Sequence, residues 1–214
     1  MTASTPKRLH LRSVGAAPNR SEDSERELFE GVLRGDERIA VELYHRLLPV
    51  IEASLLRVLG RREVDHEDLV QTSFEQLILT LARGSYAGAC GLKTWASSIA
   101  AHVALKAIRS RYRQRRVFNP SVEPHEATES QRSSDDVERT LVSRQQLERV
   151  RAALAELAPA KAEAVLLHDV LGHGLSEIAS LTGSSVAAAQ TRLSRGRREL
   201  AERLEERARR EGDT

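Results

Sequence analysis

The side chains in this chain best suited to chemistry are cationic and amide groups gathered near its C-terminal end: Gln190, Thr191, Arg192, Arg195, Arg197 and Arg198. Guanidinium forks and amides at such spacing can reach base edges and phosphates from a major groove, so the chemistry they suit is recognition of a nucleic acid. Something has to hold them outward. The surrounding stretch, residues 176–200, reads as two short helices joined by a turn at Gly183, a residue that tolerates positive φ. Ile178, Ala179 and Leu181 give the first helix an apolar side. Val186, Ala189, Leu193 and Leu200 recur at helical spacing on the second and are predicted to face inward. Ser184 or Ser185 offers a hydroxyl to the free amides of that helix. This is the outline of a helix-turn-helix. A solvated amphipathic helix is also rich in arginine, so the neighbouring segments must decide between the two.

Catalytic and metal chemistry find no support elsewhere. Asp65, His66, Glu67 and Asp68 are consecutive, and consecutive helical residues point in different directions, so they cannot converge on one metal. His168 and His173 are separated by a glycine break and lack nearby ligands. The glycines of 83–91 and 172–174 fit neither a phosphate loop nor a dinucleotide fingerprint. The expectation is a non-enzyme without metal or cofactor. Cys90 sits in a Gly/Ala loop as a small filler, and a single cysteine excludes an internal disulfide and points to the reducing cytosol. No apolar run follows Lys7 and Arg8, and no stretch approaches the length of a membrane span, so a cytoplasmic protein without membrane insertion is expected.

The net charge of +2 is too small to diagnose a nucleic-acid partner, but its distribution is informative. Between 106 and 116 stand Lys106, Arg109, Arg111, Arg113, Arg115 and Arg116 with no acid among them; acids prevail over 123–138, and the sign reverses again over 192–198. Two positive patches with an acidic spacer suggest two contacts on one long polyanion. Arginines at 109–116 also suit the negative end of their helix, a structural role that stands beside nucleic-acid contact.

Aromatics are 3% of residues while Ala, Leu, Arg and Glu dominate, which predicts an all-α protein. A first helix starts at Ser24, with Leu28, Phe29, Val32 and Leu33 on one face and Gly35 closing it. Asp36 caps the second, whose inner face is Ile39, Ala40, Leu43, Tyr44, Leu47, Val50, Ile51, Leu55 and Val58, with a kink at Pro49 and an end at Gly60. A third starts at Asp65 as N-cap and turns Leu69, Val70, Ser73, Phe74, Leu77, Ile78 and Leu81 to one side. The fourth spans 92–116 with Trp95, Ile99, Val103, Ala107 and Ile108 inward. Residues 118–136 combine prolines with Ser, Glu and Asp and mark a flexible linker. Beyond it a helix runs from Val137 through Leu147 and Leu154 to Leu157, another starts at Pro159, and the helix-turn-helix follows. The predicted fold class is therefore two small helical domains joined by a flexible linker, the C-terminal one containing the helix-turn-helix: a disordered tail at 1–20, domains at 21–117 and 137–206, the linker at 118–136, and a tail at 207–214. The two bodies are expected to fold independently, with Arg192 and Arg195 facing outward.

Together these segments resemble a bacterial RNA polymerase sigma factor of the compact extracytoplasmic-function class of the sigma-70 family, over about residues 24–204. HEDLVQTSFEQLILTL, 66–81, is similar to that family's polymerase-binding helix. LKTWASSIAAHVALKAIRSRYRQRR, 92–116, is similar to its promoter-melting helix, and 154–200 to its second DNA-binding domain. The resemblance implies that Asp68, Leu69, Val70, Gln71 and Phe74 grip the β′ clamp helices of core RNA polymerase. It places Lys93, Thr94, Trp95, His102, Lys106, Arg109, Arg111 and Arg113 on the −10 region of promoter DNA, with Lys106, Arg109, Arg111, Arg113, Arg115 and Arg116 tracking the backbone. It places Ser184, Ser185, Ala188, Gln190, Thr191, Arg192, Arg195, Arg197 and Arg198 on the −35 region. The implied partners are core polymerase, through its β′ clamp helices and β flap, promoter DNA and an anti-sigma factor. The implied function is promoter recognition, DNA melting and transcription initiation. A stand-alone helix-turn-helix regulator would leave the Asp68 to Phe74 surface and the second basic helix without a purpose, and a protein-binding adaptor would not need both positive patches.

Some positions depart from the family's pattern. Ser98 and Ala101 stand where arginines are usual, His102 where an asparagine is, Lys106 where an acid is, and Leu92 where an aromatic is. Gly174 replaces a serine N-cap, and Ala188, Ala189 and Gln190 replace threonine, valine and lysine. These changes imply altered base capture and a smaller, less cationic recognition surface. Three residues keep two readings each. Asp68 is a contact or a first-turn dipole partner, Phe74 a contact or core, and Trp95 a stacking surface for an unpaired base or a pin for the preceding loop.

Overall fold

Local sequence sets most helix ends. The structure, a computed structural model, describes residues 20–84, 86, 90–118 and 134–212; the expected N-terminal tail and most of the expected linker lie outside them. Helix α1 is Arg20–Leu33. Asp36 then accepts through Oδ1 from the amides of Arg38 at 3.0 Å and Ile39 at 3.3 Å, opening α2, Glu37–Leu59. Gly60 ends α2 in the left-handed region at φ 66°. Helix α3 is His66–Ala82 and α4 is Leu92–Phe118. Asp65 precedes α3 as predicted but provides no side-chain cap. Its carboxylate takes the Arg111 guanidinium instead, at 2.5 Å, a charge-assisted bond stronger than one to an amide.

Leu47, Ile51, Leu55 and Leu59 of α2 are wholly buried, facing Leu77 of α3 and the small residues Ala96, Ala100 and Ala104 of α4. That alanine row, spaced at four, lets α2 and α4, the two longest helices of this half, lie close. The buried stripe is narrower than the periodicity predicts. Leu33, Ala40, Tyr44 and Ile78, expected inside, are exposed, because the core between α2, α3 and α4 closes on the neighbouring row of each helix.

The second set comprises α5, Ser134–Glu156; α6, Pro159–Val165, with Pro159 in its first turn; α7, Leu175–Leu181; and α8, Val186–Gly212. A π-helical turn at Leu166–Val170 continues α6, closed by the Leu171 amide donating to the Leu166 carbonyl at 3.0 Å. Leu166, Leu167, Ile178 and Ala189 form the centre of this half. Gly196 is buried where α8 crosses α6: a Cβ there would lie 2.9 Å from Val165 Cγ2 and 3.0 Å from the Lys161 carbonyl oxygen. Only glycine allows that crossing.

Two expectations need correction. The halves do not stand apart, since one buried cluster runs continuously from Phe29 to Leu193. Leu147 of α5 lies so close to Gly60 that a Cβ on Gly60 would be 2.2 Å from Leu147 Cδ2, and Arg151, only 6% exposed, sits between Glu148 and Glu63. Complementary charge is the reason: α4 is basic where α5 carries Glu148 and Glu156. Nor does a tail begin at 207, because α8 continues to Gly212 and anchors Arg207 on α4 and α5.

Candidate nucleic-acid interface

The turn between α7 and α8 is built as the sequence predicts. Gly183 has φ 58°, and the Ser184 amide donates to the Ala179 carbonyl at 2.9 Å. Of the two serines, Ser185 is the cap: its hydroxyl accepts from the Ala188 amide at 3.1 Å, while the Ser184 hydroxyl pairs with Thr182. Gly174 begins α7, and its amide donates to Glu177 Oε2 at 2.9 Å. Gln190, Thr191, Arg195 and Arg198 are exposed on α8, Arg192 and Ala188 are half-buried, and Ala189 and Leu193 face the core. Arg197 is exposed too, but it pairs with Asp169 of the π turn, which keeps the Asp169 carboxyl below its ordinary range. Val186 is a correction. It is 48% exposed, because the core under this helix closes on Ala189 and Leu193, and its methyls stand beside the exposed Ser185 and Ala187. The helical period puts it inside; its place in the first turn after the Gly183 turn, ahead of the buried Ala189 and Leu193, leaves it on the surface instead.

On α4, Lys93, His102, Lys106 and Arg113 are exposed, and Ala101 is buried. His102, Lys106, Arg109 and Arg113 line a cleft of about 240 Å³ whose far wall is Ala155 of α5. Three expected backbone contacts are otherwise engaged. Arg109 donates to the Leu157 carbonyl at 2.8 Å, Arg111 holds Asp65 and lies 3.5 Å from Glu63, and Arg115 binds Glu148 at 3.0 Å. Burial, with Arg113 nearby, lowers the Arg109 guanidinium from its ordinary value. Thr94 lies 3.5 Å from Glu177. Trp95 is 7% exposed and packs against Tyr86 and Phe29, with ring centroids 4.5 and 6.2 Å away. Of its two readings, this structure has it pinning the loop.

On α3, Asp68 and Gln71 are exposed, and the Gln71 amide donates to Glu75. Leu69 and Val70, expected as contacts, are buried in the core and serve packing. Phe74 is half-buried and leans on the exposed Tyr44 of α2, ring centroids 4.6 Å apart. Tyr44 and Ile78 thus extend this face, although the helical period put both inside.

Residues 43–114 match the family description Sigma-70 region 2, and residues 147–200 match Sigma-70, region 4. The chain belongs to the sigma-70 family. Residues 115–146 alone separate the two matches, the short spacing that the resemblance to the extracytoplasmic-function class implies. The sigma factor binds core RNA polymerase and directs promoter recognition, and the alternative readings as a lone regulator or an adaptor fall away. Region 2 covers α4 as far as residue 114 and the Asp68 to Phe74 face; region 4 covers the helix-turn-helix. In structure the factor is similar to CnrH, solved in complex with the cytosolic domain of CnrY, at 23% identity over 86% of this chain and 98% of that one, TM-score 0.48. It is also similar to the Bartonella quintana sigma factor RpoE, solved with the anti-sigma factor NepR, at 22% identity over 76% of this chain and 94% of that one, TM-score 0.43. No curated protein matches the sigma factor by sequence. No helix among its described residues is long and apolar enough to cross a membrane.

Proposed function

We propose that region 2 docks on the β′ clamp helices of core polymerase through Asp68, Gln71 and the shelf formed by Tyr44, Phe74 and Ile78. An exposed acid and amide beside half-exposed aromatics suit a helix-on-helix contact. Lys93, Lys106 and Arg113 then neutralise the strand separated at the −10 element, with His102 offering it a hydrogen-bonding ring, and Val186, Gln190, Thr191, Arg192 and Arg195 read the −35 element in a major groove. On this reading the two domains are 21–117 and 137–206, with α8 continuing to Gly212. An anti-sigma partner and a contact with the β flap follow from the sequence resemblance. The factor carries out no chemistry of its own and works in the cytoplasm, where its polymerase is.

One observation carries this reading: a single chain presents exposed cationic rows on α4 and on α8, and a separate acid, amide and aromatic face on α3. The test is co-elution of the full chain with core polymerase, followed by run-off transcription from DNA recovered with the complex in cells. The reading expects co-elution and factor-dependent transcripts. Duplex binding without either would overturn it.

A further inference from the structure

The start of α8 carries no charge. From Ser184 to Thr191 every side chain is neutral, and the guanidinium groups begin at Arg192. A recognition helix meets base edges with its N-terminal residues, so the neutral ones face them. Several of these are already committed. The Ser185 hydroxyl caps the helix, accepting from the Ala188 amide at 3.1 Å, and that of Ser184 pairs with Thr182 at 2.9 Å. Thr191 donates its hydroxyl proton to the Ala187 carbonyl at 2.8 Å, and Ala189 is wholly buried. What remains outside is Val186, Ala187 and Gln190. The exposed Gln190 amide has no hydrogen-bond partner among the described residues. Val186, 48% exposed, stands four residues before it on the same face, and the exposed Ala187 three before.

A carboxamide offers a donor and an acceptor side by side, the complement of the N6 amino donor and N7 acceptor that adenine shows in the major groove. Guanine shows two acceptors there, which would set the amide oxygen against another oxygen or nitrogen lone pair, and cytosine shows only a donor. Adenine alone satisfies both atoms of Gln190. The methyl groups of Val186 and Ala187 offer apolar contact only, and the apolar group that a base presents in this groove is the thymine C5 methyl. Four residues along a helix rise about 6 Å, less than two base-pair steps of about 3.4 Å, so the two contacts fall on pairs at most two steps apart. We infer that Gln190 selects adenine at one A·T pair of the −35 element, and that Val186 with Ala187 selects a thymine methyl within two steps of it. The inference rests on the proposed placement of α8 in that groove.

The test uses the full chain with core polymerase on promoter DNA recovered from the complex, each pair of the −35 element being replaced in turn by the other three and binding read by competition. The parent is expected to favour adenine at one position by at least about fivefold. Gln190→Ala should level that position and leave the others as they were. Gln190→Lys, which has donors only, should move the preference there to guanine, a switch that a merely structural role would not produce. Both replacements are good helix formers. Uracil in place of the selected thymine should weaken the parent by about fourfold, the worth of one buried methyl, and Val186→Ala should shrink that loss to less than about twofold. If Gln190→Ala keeps every preference while Arg192→Ala with Arg195→Ala still weakens binding, the adenine assignment is overturned and the placement of α8 stands. If neither changes binding, the placement falls and the inference with it. A G·C pair at the position that Gln190→Ala levels also overturns the assignment, and full affinity with uracil at every thymine overturns the Val186 contact.

Discussion

The His173 imidazole lies 3.2 Å through Nε2 from the Ser97 hydroxyl, joining the break before α7 to α4 across the boundary between region 4 and region 2. Ser97 in turn accepts from Ser54 of α2 at 3.0 Å. Burial pushes the His173 imidazole below its ordinary value, outweighing the Glu177 carboxylate, whose Oε2 lies 3.9 Å from Nδ1. The unfolded chain therefore takes up this proton at higher pH than the folded one. The contribution is fully present above about pH 6.5 and is lost as pH falls below it. Denaturant titrations between about pH 5.5 and 7.5 are expected to show stability declining with acid, and His173→Gln, which keeps a hydrogen-bonding group without the charge change, is expected to flatten that slope. An equal slope in the variant would contradict the assignment.

Replacing Gly196 by alanine in an exposed helix would stabilise by up to about 1 kcal/mol. Here the new methyl meets Val165 and the Lys161 backbone carbonyl, so Gly196→Ala is expected to destabilise by about 1–3 kcal/mol. Chemical denaturation reads the sign directly, and a more stable variant would mean that the α6–α8 crossing is looser than described.

Arg192→Ala with Arg195→Ala is expected to weaken promoter binding and to flatten its salt dependence. The log–log slope should fall by at most about 2, since each phosphate contact contributes roughly 0.9. Arg197→Ala should act differently, because its guanidinium is already spent on Asp169: it loosens the π turn as well as removing a charge. Filter binding across a salt series separates the two, and an unchanged slope in the double variant would remove α8 from the groove.

Asp68→Ala with Gln71→Ala is expected to weaken association with core polymerase by about tenfold, or roughly 1.4 kcal/mol. Both side chains are exposed, so the unfolding midpoint should move by no more than about 0.5 kcal/mol. Normal co-elution of a folded variant would take the polymerase contact away from this face.

What was legible in the sequence was whatever local chemistry decides. Asp36 as a cap, Gly60 and Gly183 as left-handed ends, Pro159 at a helix start and the helix-turn-helix all follow from short-range rules, and the three quoted stretches carried the family. The choice of side at a helix boundary was less legible. A period of 3.6 marks a stripe without fixing its width, so it puts Tyr44, Ile78 and Val186 inside although the neighbouring rows take the core. The same period turns Leu69 and Val70 inward, where they are buried, and only the family resemblance assigns them to a partner. The junction of the two halves was not legible at all, because Arg207 meeting Tyr112 and Glu156, 95 and 51 residues away in the chain, leaves no trace in spacing.

The central claim is that this chain directs polymerase to open a promoter. Permanganate reactivity of thymines in the −10 region, measured with purified factor and core polymerase on DNA recovered from the complex, tests it most directly. The account predicts reactive thymines only when both proteins are present, and their loss with Lys106→Ala plus Arg113→Ala. Thymines that stay protected in the complete mixture, while the chain alone still binds the duplex, would contradict it.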